Sequence, residues 1–195
     1  VVKGEGVVAA TPYPWPYHGA LDPARCALVA CVDPRWRALG ADDGNLTALA
    51  FALRQWGALT IAVRATPVRT SLDRGSRWAV PGSEVDLPAP FDADLTLEAG
   101  ATNAFYASDL DGVLRRANRS DLFVAGWGLE GPVHSTLRAA NDQGYECLLV
   151  PDASSTLDPD LVHAAKEMVR FSGGIFGAWA TTEDIFAALG ELTTR

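Results

Sequence analysis

The stretch that most constrains this 195-residue chain runs from Asp121 to Val150. DLFVAG (Asp121 to Gly126) is an apolar run of strand length, followed by a Gly-rich turn, a helix predicted from about Pro132 to Asp142, and a second apolar strand, ECLLV (Glu146 to Val150). Two buried strands joined through a helix make a parallel pair, and parallel pairs belong in sheets covered on both faces. Ligands of such sheets gather at strand-to-helix turns, so Gly126 to Thr156 is also where chemistry is expected.

The rest of the chain repeats this alternation. CALVACV (Cys26 to Val32) is a continuous apolar run stopped by Asp33 and Pro34, the pattern of a central strand delivering an acid to the sheet edge. Asp42 or Asp43 is expected to cap a helix carrying Leu46, Leu49, Ala50, Leu53 and Trp56 at helical spacing, with Gly57 as its stop. ALTIAVR (Ala58 to Arg64) is a strand, Ala65 to Asp94 reads as a long loop, and Leu95 to Leu97 is a short strand. Ser108 caps a helix reaching Asn118. A helix from about Asp158 to Phe171, the strand IFGAWA and a last helix from Thr181 or Thr182 follow. The predicted fold is α/β: a doubly wound, mostly parallel six-stranded sheet with helices on both faces and right-handed crossovers. Length and a 48% hydrophobic composition suit a single domain over 1–195. An extended N-terminal arm at about 1–22 contains TPYPWPY (Thr11 to Tyr17), whose aromatics must be covered by this domain or by a neighbouring subunit.

A formal charge of -8 argues against nucleic acid, which needs clustered Lys and Arg. The three cysteines, Cys26, Cys31 and Cys147, lie in or beside apolar strands as small hydrophobes, an odd set that points to a reducing, cytoplasmic compartment. Without a long apolar run or a basic-then-apolar leader, neither membrane span nor export is expected. His18, His134 and His163 are widely spaced, so no metal site is expected, and no cofactor either.

GWGLEGPVHSTLRAANDQGYECLLVPDASST (Gly126 to Thr156), with AFYASDLDGVLRRANRSDLFVAG before it and FSGGIFGAWATTEDIFAAL after it, resembles the isochorismatase-like cysteine hydrolases. The nearest branch by resemblance is that of the biuret hydrolases and ureidoacrylate amidohydrolases. PYPWPYHGALDPARCALVACVD (Pro12 to Asp33) is similar to the lead-in to that family's first strand. The resemblance implies an aspartate base, a lysine and a cysteine nucleophile at a helix start, where the helix N-terminus favours the thiolate. Carried over by position, these fall on Asp33, Ala99 and Pro132. Alanine supplies no charge, and proline supplies neither a nucleophile nor a backbone N–H for an oxyanion hole. The family's usual amidase mechanism is thereby excluded.

Asp33 is the one catalytic position retained, either as acid or base or as a structural acid paired with Arg35, Arg37 or Arg64. Cys31 shares its strand face but sits deeper. Trp127 is expected to fill the vacated pocket, or to stack on a flat ligand. Glu130 caps the Pro132 helix or serves a rebuilt site, and His134 packs or bonds within its helix. Phe105 and Arg64 complete the pocket candidates, with Arg64 or Arg35 as the replacement cation. Three functions follow from the resemblance: a catalytically silent structural or regulatory subunit assembling as a homo- or hetero-oligomer with isochorismatase-like chains; a hydrolase of vinyl ethers using Asp33 as general acid; or a small-molecule binding protein.

Overall fold

The computed structural model describes residues 4–37, 42–65 and 88–193, except the side chains of 4, 5 and 191–193. Most of the expected 65–94 loop lies outside these residues. Eight strands occur among them: β1 (Gly4–Val7), β2 (Trp15–Leu21), β3 (Cys26–Cys31), β4 (Leu59–Ala65), β5 (Leu95–Ala99), β6 (Asp121–Trp127), β7 (Glu146–Ser155) and β8 (Ala178–Trp179). The helices are α1 (Gly44–Trp56), α2 (Leu110–Arg116), α3 (His134–Asp142), α4 (Leu161–Arg170) and α5 (Thr182–Thr193).

Six strands form a parallel sheet in the order β5-β4-β3-β6-β7-β8. Chain order reverses between β3 and β6, which creates a crevice at their C-terminal ends. Every residue of β3 and β6 is buried, so both faces are covered and the continuous apolar runs of the sequence have their cause. Period-2 alternation divides the core. Ala30, Phe123, Ala125 and Trp127 pack with Leu49 and Leu53 of α1 and Ile185 of α5 on one face. On the other, Val29, Cys31, Leu122 and Val124 pack with Leu110, Leu137 and Val169 from α2, α3 and α4.

Helix starts follow the chemistry expected of them, with adjustments. Ser108 Oγ accepts from Leu110 N at 3.2 Å, although the helix stops at Arg116. At α1 the capping bond comes from Asp42, which accepts Gly44 N at 2.8 Å, because the Asp43 carboxylate is engaged by Arg37 and Trp127. Thr181 and Asp184 cap α5 reciprocally: Asp184 Oδ2 accepts Thr181 N at 3.0 Å, and Thr181 Oγ1 accepts Asp184 N at 3.3 Å.

Over its described residues the N-terminal arm is an antiparallel hairpin of β1 and β2, lying on the chain's own core. Trp15 is fully buried, with its ring edge-on to Phe123 at 4.8 Å. Tyr13 donates its hydroxyl to Glu146 Oε1 at 3.0 Å, and His18 Nε2 lies 3.1 Å from the buried Asp121.

Candidate active site

Asp33 follows β3 at the crevice, where Pro34 ends the strand and opens a 3₁₀ turn (Pro34–Trp36). The carboxylate is 2% exposed, and it is fully occupied by one neighbour. It accepts Arg35 N at 3.1 Å, Arg35 Nε at 2.9 and 3.1 Å on its two oxygens, and Arg35 Nη2 at 2.5 Å. Charge and hydrogen bonding are thus satisfied within a three-residue stretch. Of the partners considered from sequence, Arg35 is the one, and Arg37 instead holds Asp43 at 2.8 Å.

Beyond β6 the chain turns at Gly128, in the left-handed region at φ 81°. The expected helix start at Pro132 is a π turn over Leu129–Val133, and α3 begins at His134. The cause is proline itself. Lacking an N–H, Pro132 cannot donate to Gly128 O four residues back, so Val133 N does so at 3.1 Å, making the wider i→i+5 loop. Gly131 N also donates to Gly128 O, Gly128 N to Ser155 O, and His134 N bonds within the turn. These amides therefore offer nothing to a developing oxyanion. Trp36 lies across the turn: a Cβ at Gly131 would come within 2.6 Å of its ring, and one at Gly128 within 2.7 Å of Trp36 Cβ.

Asp33, Ala99 and Pro132 do converge, on one small cavity shared with Cys31, Val63 and Ala104. It leaves about 10 Å³ for the centre of a water molecule, room for about one. Cys31 donates its thiol to Thr136 Oγ1 at 3.4 Å, and the same hydroxyl accepts Ala104 N at 3.0 Å. Burial pushes the Cys31 thiol up to about 12, so it stays protonated at neutral pH and is no thiolate nucleophile.

The other pocket candidates lie elsewhere. Trp127 is 2% exposed but packs on the opposite face of the sheet, where Nε1 donates to Asp43 Oδ1 at 2.7 Å and Arg37 lies over the ring at 5.6 Å. It neither fills the vacated pocket nor offers a face there; Pro132 and the small cavity walls do the filling. Arg64 alternates with the pocket-lining Val63 and Ala65 and so leaves that face, which removes it as a substitute for the lysine. Phe105 packs on Tyr145, with ring centroids 5.8 Å apart. Glu130 does not cap the turn; its Oε1 accepts Leu157 N at 2.7 Å. His134 is buried against α4, and burial, with a smaller push from Arg138, holds it below the usual histidine range. Among the described residues no group of three or more His, Cys, Asp or Glu side chains is placed to hold a metal. No helix among them is long and apolar enough to cross a membrane.

The fold and this crevice bear directly on the comparisons with known proteins. The family model for the isochorismatase domain matches residues 44–184. The chain belongs to the isochorismatase family. It is 27% identical over 104 residues to YddQ, an uncharacterized isochorismatase family protein of Bacillus subtilis (strain 168), which covers 51% of this chain and 58% of that protein. The chain spans about half the length of the curated relatives it matches. An isochorismatase family protein of Burkholderia thailandensis superposes with a TM-score of 0.67 at 25% identity, over 87% of this chain and 97% of that one. A cysteine hydrolase of Pseudomonas syringae pv. phaseolicola 1448A superposes at 0.70 over 88% and 95%, and at 17% identity that likeness speaks for the fold alone. Asp33 precedes the family-matched residues, so its place in the site rests on the cavity it shares with Ala99 and Pro132.

Proposed function

We propose that this isochorismatase family member is a catalytically silent subunit, derived from the biuret hydrolase and ureidoacrylate amidohydrolase branch, that assembles with an active paralogue. One observation carries the reading. Where that branch is taken to place base, lysine and nucleophile, Asp33 is held by Arg35 over a cavity of about one water walled by Ala99 and Pro132. No thiolate or free carboxylate remains among the described residues there, and the amides of Gly128, Gly131, Val133 and His134 are already bonded, so nucleophilic attack has no group to perform it and these amides stabilise no oxyanion. Among the described residues the six-stranded sheet and its covering helices are kept, as a packing role demands. The three free, buried thiols fit the cytoplasmic location that goes with this role.

Affinity capture from the source organism, using the tagged full-length chain, tests the proposal. Recovery of a second isochorismatase family chain carrying Asp, Lys and Cys at the corresponding positions is expected, and its activity should depend on the complex. Recovery of this chain alone, as a stable monomer or pure homo-oligomer, would count against it.

A second reading is favoured by the same ion pair. Arg35 brings a cation to the retained acid, as hydrolysis of a vinyl ether bearing a carboxylate would require. Asp33 must then leave Arg35 to carry a proton to substrate, and the cavity must open well beyond one water. Turnover of vinyl-ether acids that Asp33→Asn abolishes would select this reading over the first.

A further inference from the structure

At the opposite edge of the sheet, below the N-terminal ends of β6 and β7, lies a polar concavity of about 300 Å³. Its walls include Arg115, Asn118, Arg119 and Gln143. Arg119 differs from its neighbour Arg115 in holding no carboxylate among the described residues. Arg25, Arg35, Arg37, Arg54, Arg115, Arg116 and Arg170 each hold a carboxylate, and Arg138 lies over the Phe176 ring. Arg119 is half-buried, yet no acid among the described residues pairs with it. Nη1 donates to the backbone carbonyls of Pro23 and Cys26, while Nε is buried with no partner. Two neutral carbonyls satisfy part of the fork but not its charge, and a cation drawn partly from water without a counter-charge is costly. Asn118 and Gln143 also line the concavity, both exposed, and their side-chain amides are donors.

We propose that this concavity is a binding site for a small oxyanion, carboxylate or phosphate, that completes the charge of Arg119. The size matches a small-molecule pocket, and the chemistry matches the planar guanidinium's preference for two-oxygen groups. Local acids do not compete for Arg119: Asp111 is held by Arg115 and by the Tyr145 hydroxyl at 2.7 Å, and Asp121 by Arg25 and His18. The site is separated from the Asp33 cavity by the length of the strands and is independent of whether that cavity is silent.

Calorimetric titration of the full chain with sodium phosphate and, separately, sodium acetate, each against sodium chloride at matched ionic strength, tests the site. Saturable binding of at least one oxyanion is expected, the tighter of the two naming the class. Asn118→Asp puts a negative charge in the lining, at a position whose left-handed φ of 56° aspartate tolerates, and should weaken binding about tenfold. Arg119→Gln should abolish it, and Arg138→Gln, outside the pocket, should bind as the parent does. If Arg119→Gln does not fold, Asn118→Asp decides. No saturable heat with either anion, or unchanged affinity in Asn118→Asp, would overturn the proposal.

Discussion

Arg35 holds both carboxylate oxygens of Asp33 from two positions along the chain, with Nη2 at 2.5 Å and Nε at 2.9 and 3.1 Å. Pro34 between them fixes the 3₁₀ turn that brings the guanidinium round. Because the pair is local, it forms whenever the turn forms. A buried carboxylate must be paired, and here a residue two positions along supplies the partner.

The pair should therefore count in stability. Arg35→Met leaves a buried charge without its counter-ion and is expected to cost about 3 kcal/mol in urea unfolding. The double variant Asp33→Asn with Arg35→Met removes the charge as well and should recover most of that loss. If the double variant were as unstable as the single one, the pair would not be the cause.

Restoring the missing groups should not restore chemistry. Pro132→Cys with Ala99→Lys adds a thiol and an ammonium to a cavity with room for about one water. Overpacking and charge burial are expected to cost about 2 to 4 kcal/mol. Amide and ureido substrates should show no turnover, since Arg35 still holds Asp33 and Trp36 still lies across the turn. Robust turnover by this variant would show that only two residues separate the chain from an enzyme.

The cysteines set an alkaline limit. Burial first, and nearby acids less, push the thiols of Cys26 and Cys31 up to about 12, and burial raises Cys147 as well, from an ordinary 9.0. Raised thiol values mean that the folded state binds more protons than the unfolded one at alkaline pH. The stabilisation is complete below 9.0 and lost as pH rises toward about 12. Thiol-specific labelling at pH about 8 should reach none of the three in the native chain and all three after unfolding. Rapid native labelling would contradict the burial.

His134 sets an acid limb of the opposite sign. Its folded value lies below the ordinary 6.5, so its contribution is present above 6.5 and is lost as pH falls below it. Urea midpoints of the parent and of His134→Gln, compared from pH about 7 down to 5, should show the steeper loss in the parent. Parallel curves would assign that limb to the carboxylates.

The fold was legible because its strands are continuous apolar runs: CALVACV and DLFVAG admit little else than the centre of a parallel sheet. Asp33, Ala99 and Pro132 came together only through the resemblance, carried over position by position, and the structure sets all three around one cavity. Trp127 was misplaced for a reason the sequence also contains. Period-2 alternation through Phe123 and Ala125 puts it on the α1 face, away from Cys31 and Asp33. Proximity in sequence to Pro132 outweighed parity. TPYPWPY concealed a hairpin, since alternating prolines mask the pairing that seats Trp15. Helix periodicity carries no mark of a π turn, though the missing N–H of Pro132 predicts one once the turn at Gly128 is known. Arg119 had no local signal at all, because its carbonyl partners lie about a hundred positions earlier in the chain.

Catalytic silence is tested most directly by assaying the purified full-length chain, alone, against ureido, amide and vinyl-ether acids beside its Asp33→Asn variant. The account predicts that the two proteins are indistinguishable, with no turnover above buffer. Turnover by the parent that Asp33→Asn abolishes would contradict it.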